Sequence, residues 1–280
     1  GKVAPSFVFE DVLPTLTKKA TTYITERARE SQKPFFLYLP LTGPHTPWLP
    51  IRKFEGKSAA GIYGDFVAMV DDVIGQVTDT LRQQGLDKNT LLVLTSDNGA
   101  HWTPEDRARY PHRANAWWRG QKADIHDAGH RIPFLARWPG RIAPGTVSGQ
   151  LTCLTDLFAT AAEINGIPLK PNEAEDSFSF LSAATGQPPK SPARASVVHH
   201  SAQGMFAIRR NKWKLAEGLG SGGFTEPQKE SPAPGGPTGQ LYNLMADPAE
   251  SDNLYLRNPA KVAELTAELN TIRNNGRSRG

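Results

Sequence analysis

Thr95-Ser96-Asp97-Asn98-Gly99 closes the apolar run Leu91-Leu92-Val93-Leu94. A strand that stops on an acid, an amide and a glycine sets hard oxygen donors at the carboxyl edge of a sheet, where open α/β folds build their sites. Neighbours on extended backbone face opposite ways, yet a turn at Gly99 can bring both Asp97 and Asn98 oxygens to one ion. Asn-Gly is also a common hairpin pair, so a plain turn is the competing reading. Two donors are too few for calcium, which takes roughly six to eight oxygens, or magnesium, which takes six, so further carboxylates must come from elsewhere.

Three other loops carry groups suited to an anionic substrate. His45, in Gly43-Pro44-His45-Thr46-Pro47, sits in a proline-stiffened loop and can give or take a proton near neutrality; a surface loop histidine reads the same way. Lys122 follows Trp117-Trp118-Arg119-Gly120-Gln121, and an ammonium shielded by aromatics can hold a sulfate or phosphate oxygen as a point charge. His101, His126, His130 and Arg131 add substrate or anion contacts, or else serve as packing and hydrogen-bonding residues. His199-His200 suggests a metal only weakly, because strand neighbours point apart, and a solvated hairpin is the simpler reading.

The elements that must position these loops follow from hydrophobic spacing. A helix is expected from Asp11 to Glu30, with Leu16, Ala20, Ile24 and Ala28 on its inner face. Phe35-Phe36-Leu37-Tyr38-Leu39 is continuous enough for a strand covered on both sides. From Ile62 to Gln84, Tyr63, Phe66, Val67, Val70, Val73, Ile74, Val77 and Leu81 recur at helical steps, and Gly85 supplies a stop. Strand, helix and the strand Leu91 to Thr95 then give a right-handed crossover in a parallel α/β sheet. Ile132 to Trp138 is a third strand, and Asp156 to Asn165 a further helix ending at Gly166.

Beyond about residue 190 the pattern changes to short strands at Val197-Val198, Met205 to Ile208 and Trp213 to Leu215, with a Gly/Pro/Ser-rich loop over Gly218 to Gly239. Asn258-Pro259 opens a helix with Val262, Leu265, Leu269 and Ile272 on one stripe, expected to cover the small sheet. The basic tail from Asn274 to Gly280 is expected to fray. Residues 1–190 thus read as one domain and 191–280 as a small α+β subdomain.

The chain has 280 residues, 38% hydrophobic, with a net charge of +4; its basic residues are scattered, which argues against nucleic acid as a partner. No apolar run approaches the roughly 20 residues of a membrane span. The lone Cys153 admits no internal disulfide and reads as a buried packing residue.

Taken together, Pro44-His45-Thr46-Pro47, Thr95 to Gly99, Gly120-Gln121-Lys122 and Gly129-His130-Arg131-Ile132-Pro133 followed by Trp138-Pro139-Gly140 resemble the formylglycine-dependent arylsulfatase type of the sulfatase family. Leu241-Tyr242-Asn243-Leu244 and Asp247 to Leu254 are similar to that family's C-terminal signature, so the resemblance runs through nearly the whole chain. It implies an alkaline-phosphatase-like fold: a mostly parallel α/β sheet flanked by helices, with a small C-terminal antiparallel sheet and a C-terminal helix. It implies Asp97 and Asn98 as ligands of a divalent cation, usually calcium with magnesium the alternative. By the same resemblance His45 contacts the sulfate and protonates the leaving oxygen, Lys122 binds the sulfate, and His130, with His101 and Arg131, contacts substrate. Negative charge grows on the bridging oxygen as the S–O bond breaks, so a cation, an ammonium and an acid around it favour the transition state over the ground state.

The family's Cys/Ser-X-Pro-X-Arg motif, whose first residue becomes formylglycine, and its first pair of acidic ligands have no match in these residues. The chain therefore resembles a C-terminal portion of a sulfatase, with formylglycine expected outside it. The expected partner is a sulfated small molecule or sulfated carbohydrate, in a periplasmic or secreted setting. A phosphoesterase or phosphonate hydrolase of the same superfamily, or a non-catalytic binder of sulfated glycans, is the alternative.

Overall fold

A computed structural model describes residues 3–30, 32–190 and 193–279. The elements in order are α1 (Val12–Ala28), α2 (Gly61–Gln83), β1 (Leu92–Thr95), α3 (Pro104–Arg109), α4 (Asp127–His130), β2 (Phe134–Arg137), α5 (Asp156–Ile164), α6 (Leu181–Thr185), β3 (Ser196–His200), β4 (Phe206–Arg210), β5 (Trp213–Ala216), β6 (Gln240–Asn243) and α7 (Pro259–Asn275). They fall into two compact units interleaved along the chain: Gly1–Leu92, Pro104–His112 and Trp138–Gly140 form the first, and Val93–Thr103, Arg113–Arg137 and Arg141–Gly280 the second.

In the first unit α1 packs on α2. Ala20 and Ile24 meet Val77 and Leu81, and Leu13 meets Phe66 and Met69. The buried stripe of α1 is Leu13, Thr17, Ala20 and Ile24, so it starts one turn earlier than expected and leaves Leu16 half-buried. Thr17 fills that place because its hydroxyl donates to the Leu13 carbonyl at 2.7 Å and so carries no unsatisfied group into the interior. Asp65 anchors the start of α2: it is buried, and its carboxylate accepts from the amides of Gly56, Lys57 and Ser58 at 2.7–2.9 Å.

Phe35 to Leu39 corrects a sequence expectation. The segment has no ladder partner among the described residues, and its burial alternates: Phe35, Leu37 and Leu39 pack on the α1–α2 core, whereas Phe36 and Tyr38 are 80% and 76% exposed. The period is that of a strand with one covered face.

In the second unit β1 pairs with β2, and β3–β4–β5–β6 form an antiparallel sheet in sequence order. Ile208, Leu215 and Leu241 on one face of that sheet pack against Leu265 and Leu269 of α7, with Val262 and Ile272 at the edge of the cluster, as the stripe predicted. Strand β6 lies in the segment picked out from sequence only as a family signature. Arg194, nearly buried, closes a bidentate pair on the fully buried Asp156 at 2.6 and 3.0 Å, locking the start of α5. Cys153 is half-buried rather than buried, and its amide donates to Asp156.

The tail is tied down through Arg279. The Arg277 guanidinium donates to Pro171 O, Ser278 to Asp176, and Arg279 to Lys170 O. Backbone hydrogen bonds and cationic side chains therefore replace the fraying expected of a short polar end; Gly280 lies outside the described residues.

Candidate functional site

Asp97 and Asn98 sit on the turn after β1, Asp97 exposed and Asn98 half-buried. The turn is shaped locally: Asn98 N donates to Asp97 Oδ1 at 3.0 Å, and Ser96 Oγ donates to Asn98 O at 3.2 Å. It is docked through Gly99, whose amide donates to Gly129 O at 2.9 Å. A Cβ on residue 99 would lie 1.6 Å from the Ala128 carbonyl oxygen, so only glycine allows this approach.

The Lys122 loop is built against the same turn. Lys122 N donates to Ala100 O at 3.2 Å, and the buried Asn115 amide brackets Ala100 from both sides, accepting from its N–H at 3.0 Å and donating to its carbonyl at 2.9 Å. Behind Lys122, Asp124 is fully buried. Its carboxylate accepts from Gln121 N, Phe224 N, Thr225 N and Thr225 Oγ1 at 2.5–3.0 Å, which stitches the loop to the segment between β5 and β6.

A second anchor is ionic. Glu250, fully buried, lies 2.8 Å from Lys214 Nζ and accepts the Asp127 amide at 2.5 Å, while its carbonyl accepts from Arg119 at 2.8 Å. Burial pushes the Glu250 carboxyl up, but the Lys214 charge, the neighbouring His126 ring and the hydrogen bond from the Asp127 amide outweigh it and hold the group at about 2. His126, 3.8 Å from Glu250, is held below the usual imidazole range, chiefly by burial.

The remaining histidines separate. His101 is exposed, edge-on to Phe224 with ring centroids 5.6 Å apart. His130 packs on His199 at 4.1 Å between centroids. Burial first, and the Lys214 charge second, push His130 down to about 4; burial and the charge of His130 push His199 well below the usual range. His199 and His200 do lie in a hairpin, paired with Ala207 and Phe206, but the His199 ring is packed and neutral rather than solvated, whereas His200 is exposed, 5.6 Å from Phe206 between ring centroids. Arg131 lies over the Trp118 ring at 4.3 Å and reaches Asp127 at 3.4 Å.

The second unit thus gathers Asp97, Asn98, His101, Lys122, His130 and Arg131 on segments joined by direct hydrogen bonds or one residue removed from them. His45 belongs to the first unit, exposed, with Nδ1 2.6 Å from the Thr46 carbonyl oxygen, which places the proton of the neutral ring on Nδ1. Sequence reasoning missed Asp124, Lys214, Glu250 and Phe224. Asp124 and Phe224 meet across 100 residues, Glu250 reaches Asp127 and Arg119 across 123 and 131, and Lys214 finds its charge partner in Glu250, so no local pattern marks them.

As a cation site, Asp97 and Asn98 have the right chemistry, two hard oxygen donors on one turn, but not the right number. Among the described residues no group of three or more His, Cys, Asp or Glu could hold a metal ion. Two side chains alone do not fill the roughly six oxygen positions that calcium or magnesium needs.

Residues 13–167 match the family profile described as Sulfatase, more than half of the chain. The chain belongs to the sulfatase family. It is 32% identical over 269 residues to an N-acetylgalactosamine-6-O-sulfatase of Bacteroides thetaiotaomicron, covering 94% of this chain and 51% of that protein. It is 37% identical over 168 residues to the mouse N-acetylgalactosamine-6-sulfatase, covering 59% of this chain and 31% of that one. A solved structure from work on the metabolism of multiple glycosaminoglycans by Bacteroides thetaiotaomicron superposes with a TM-score of 0.84 at 30% identity, over 96% of this chain and 55% of that chain. The fold is alkaline-phosphatase-like, and the chain spans about half or less of the length of the curated relatives it matches.

Proposed function

We propose that this chain is part of a sulfuric ester hydrolase that acts on a sulfated carbohydrate. In this reading Lys122 holds a sulfate oxygen, Asp97 and Asn98 give two of the donors to a divalent cation, calcium in preference to magnesium, and His45 donates the proton to the leaving oxygen. His101, His130 and Arg131 serve the substrate. The cation and a formylglycine, as in the family at large, would supply charge neutralisation and the nucleophile. Lys122 offers a fixed positive charge to the sulfate, and His45 an imidazole that can donate a proton to the leaving oxygen.

The observation that carries the reading is the pair of backbone hydrogen bonds, Gly99 to Gly129 and Lys122 to Ala100, which hold the acid-amide turn and the lysine loop together. The names of the relatives support a sulfated amino sugar as the substrate class. No helix among the described residues is long and apolar enough to cross a membrane, and we place the protein in the periplasm or outside the cell, where polymeric sulfated glycans are met.

Calorimetric titration of the full chain with N-acetylgalactosamine 6-sulfate, its 6-phosphate counterpart and the unsubstituted sugar tests the reading. Binding of the sulfate ester at least tenfold tighter than of the other two is expected. Preference for the phosphate ester would favour a phosphoesterase, and equal affinity for all three would overturn a sulfate-directed site.

A further inference from the structure

A loop anchored by backbone hydrogen bonds that exposes a large apolar ring beside the lysine loop calls for a purpose. The excursion between β5 and β6 is pinned where it crosses the Lys122 loop: Phe224 N and Thr225 N donate to the buried Asp124 at 2.7 and 3.0 Å, and Ile125 N donates to Ser221 O at 2.8 Å. A Cβ at residue 223 would lie 2.4 Å from the Ala123 carbonyl oxygen, so the two backbones are in direct contact there. Despite this anchoring Phe224 is 50% exposed, and the His101 ring stands nearly perpendicular to it, at 78° with centroids 5.6 Å apart. His101 follows Ala100, which accepts the Lys122 amide. One flat apolar face and one imidazole are thus held on backbone that is hydrogen-bonded to the loop carrying Lys122.

We propose that Phe224 is a specificity-determining residue, a platform that stacks on the apolar C–H face of the sugar ring whose sulfate Lys122 binds, with His101 beside it to hydrogen-bond a ring hydroxyl. This rests on the sulfatase reading above and deepens it. A pyranose has one face of C–H groups and a rim of hydroxyls, which matches a phenyl face flanked by an imidazole; an unsubstituted aryl group offers the imidazole nothing. Ligand sites commonly combine an apolar or aromatic surface with a few placed polar groups that fix orientation, and an anchored backbone keeps the ordering cost of binding small.

The test compares the full chain with Phe224→Ala, Phe224→Leu, Phe224→Tyr and Lys122→Ala variants, titrated with N-acetylgalactosamine 6-sulfate, 4-nitrophenyl sulfate and inorganic sulfate. Phe224→Ala and Phe224→Leu are expected to weaken the sulfated sugar about tenfold and inorganic sulfate less than twofold, while Phe224→Tyr, which keeps the flat face, restores sugar affinity. Lys122→Ala is expected to weaken all three ligands. If the Ala and Leu variants bind the sugar as the parent does, or lose sugar and inorganic sulfate alike, the platform is overturned while the lysine result still upholds the sulfatase reading. Loss confined to 4-nitrophenyl sulfate would mean an aryl platform and overturn the sugar assignment. If Lys122→Ala changes none of the three, the underlying reading falls and the platform with it.

Discussion

In the proposed reading, Lys122 is the group on which sulfate recognition depends most. Replacing it by alanine removes a point charge from a loop whose shape is set by Asp124 and Ala100, so the fold survives and the anion affinity does not. A loss of tenfold or more for inorganic sulfate, with the melting temperature within a few degrees of the parent, is the expected outcome in paired titration and thermal melting. His130 and His199 lead to a different prediction. Both imidazoles have folded-state values below the unfolded value near 6.5, so the unfolded chain takes up protons that the folded chain refuses. Stability is therefore fully present above about pH 6.5 and declines as the pH falls towards 4, by about 1–2 kcal/mol at pH 5 from His130 alone. Urea midpoints at pH 7.5 and 5 check this, and an unchanged midpoint would contradict it. The loops bearing His45, Asp97, Asn98 and Lys122 were legible because proline, glycine and polar residues punctuate apolar runs. The pairing of His130 with His199 was not, since 69 positions separate them and only the packed chain brings their rings together.

Among the elements, the long helices and the α7 stripe were readable because their apolar period extends over several turns, as α2 shows with Phe66, Met69, Val73, Val77 and Leu81 inside. Phe35 to Leu39 misled because five apolar residues in a row hide an alternating burial that only the neighbouring helices define. The docking of the turn after β1 is sharply testable. Gly99→Ala forces a methyl onto the Ala128 carbonyl oxygen, so it should cost about 1–3 kcal/mol in urea unfolding and weaken sulfate binding with it. Full stability in that variant would mean that the turn does not rest on the 128–129 backbone. The Lys214–Glu250 pair ties β5 to the Lys122 loop through the Asp127 amide. Glu250→Leu alone strands a buried ammonium and should cost about 3–5 kcal/mol, whereas the double variant with Lys214→Met removes both charges and should recover much of that loss. A double variant no more stable than the single would show that the hydrogen bond to Asp127, and not the stranded charge, dominates.

Across the full chain, family membership and fold agree, and the proposed centre draws two cation donors, one acid and one lysine from these residues, with no Cys/Ser-X-Pro-X-Arg motif in the 280 residues. Groups that act as a unit leave little activity when one is missing. The purified chain is accordingly expected to hydrolyse 4-nitrophenyl sulfate no faster than buffer, and robust turnover free of contaminants would show that a different nucleophile operates. What tests the account most directly is a crystal structure of the chain with N-acetylgalactosamine 6-sulfate bound. The account predicts the sulfate within hydrogen-bonding distance of Lys122 Nζ and the sugar ring over Phe224; a sulfate bound elsewhere, with Lys122 and the Asp97 turn untouched, would contradict it.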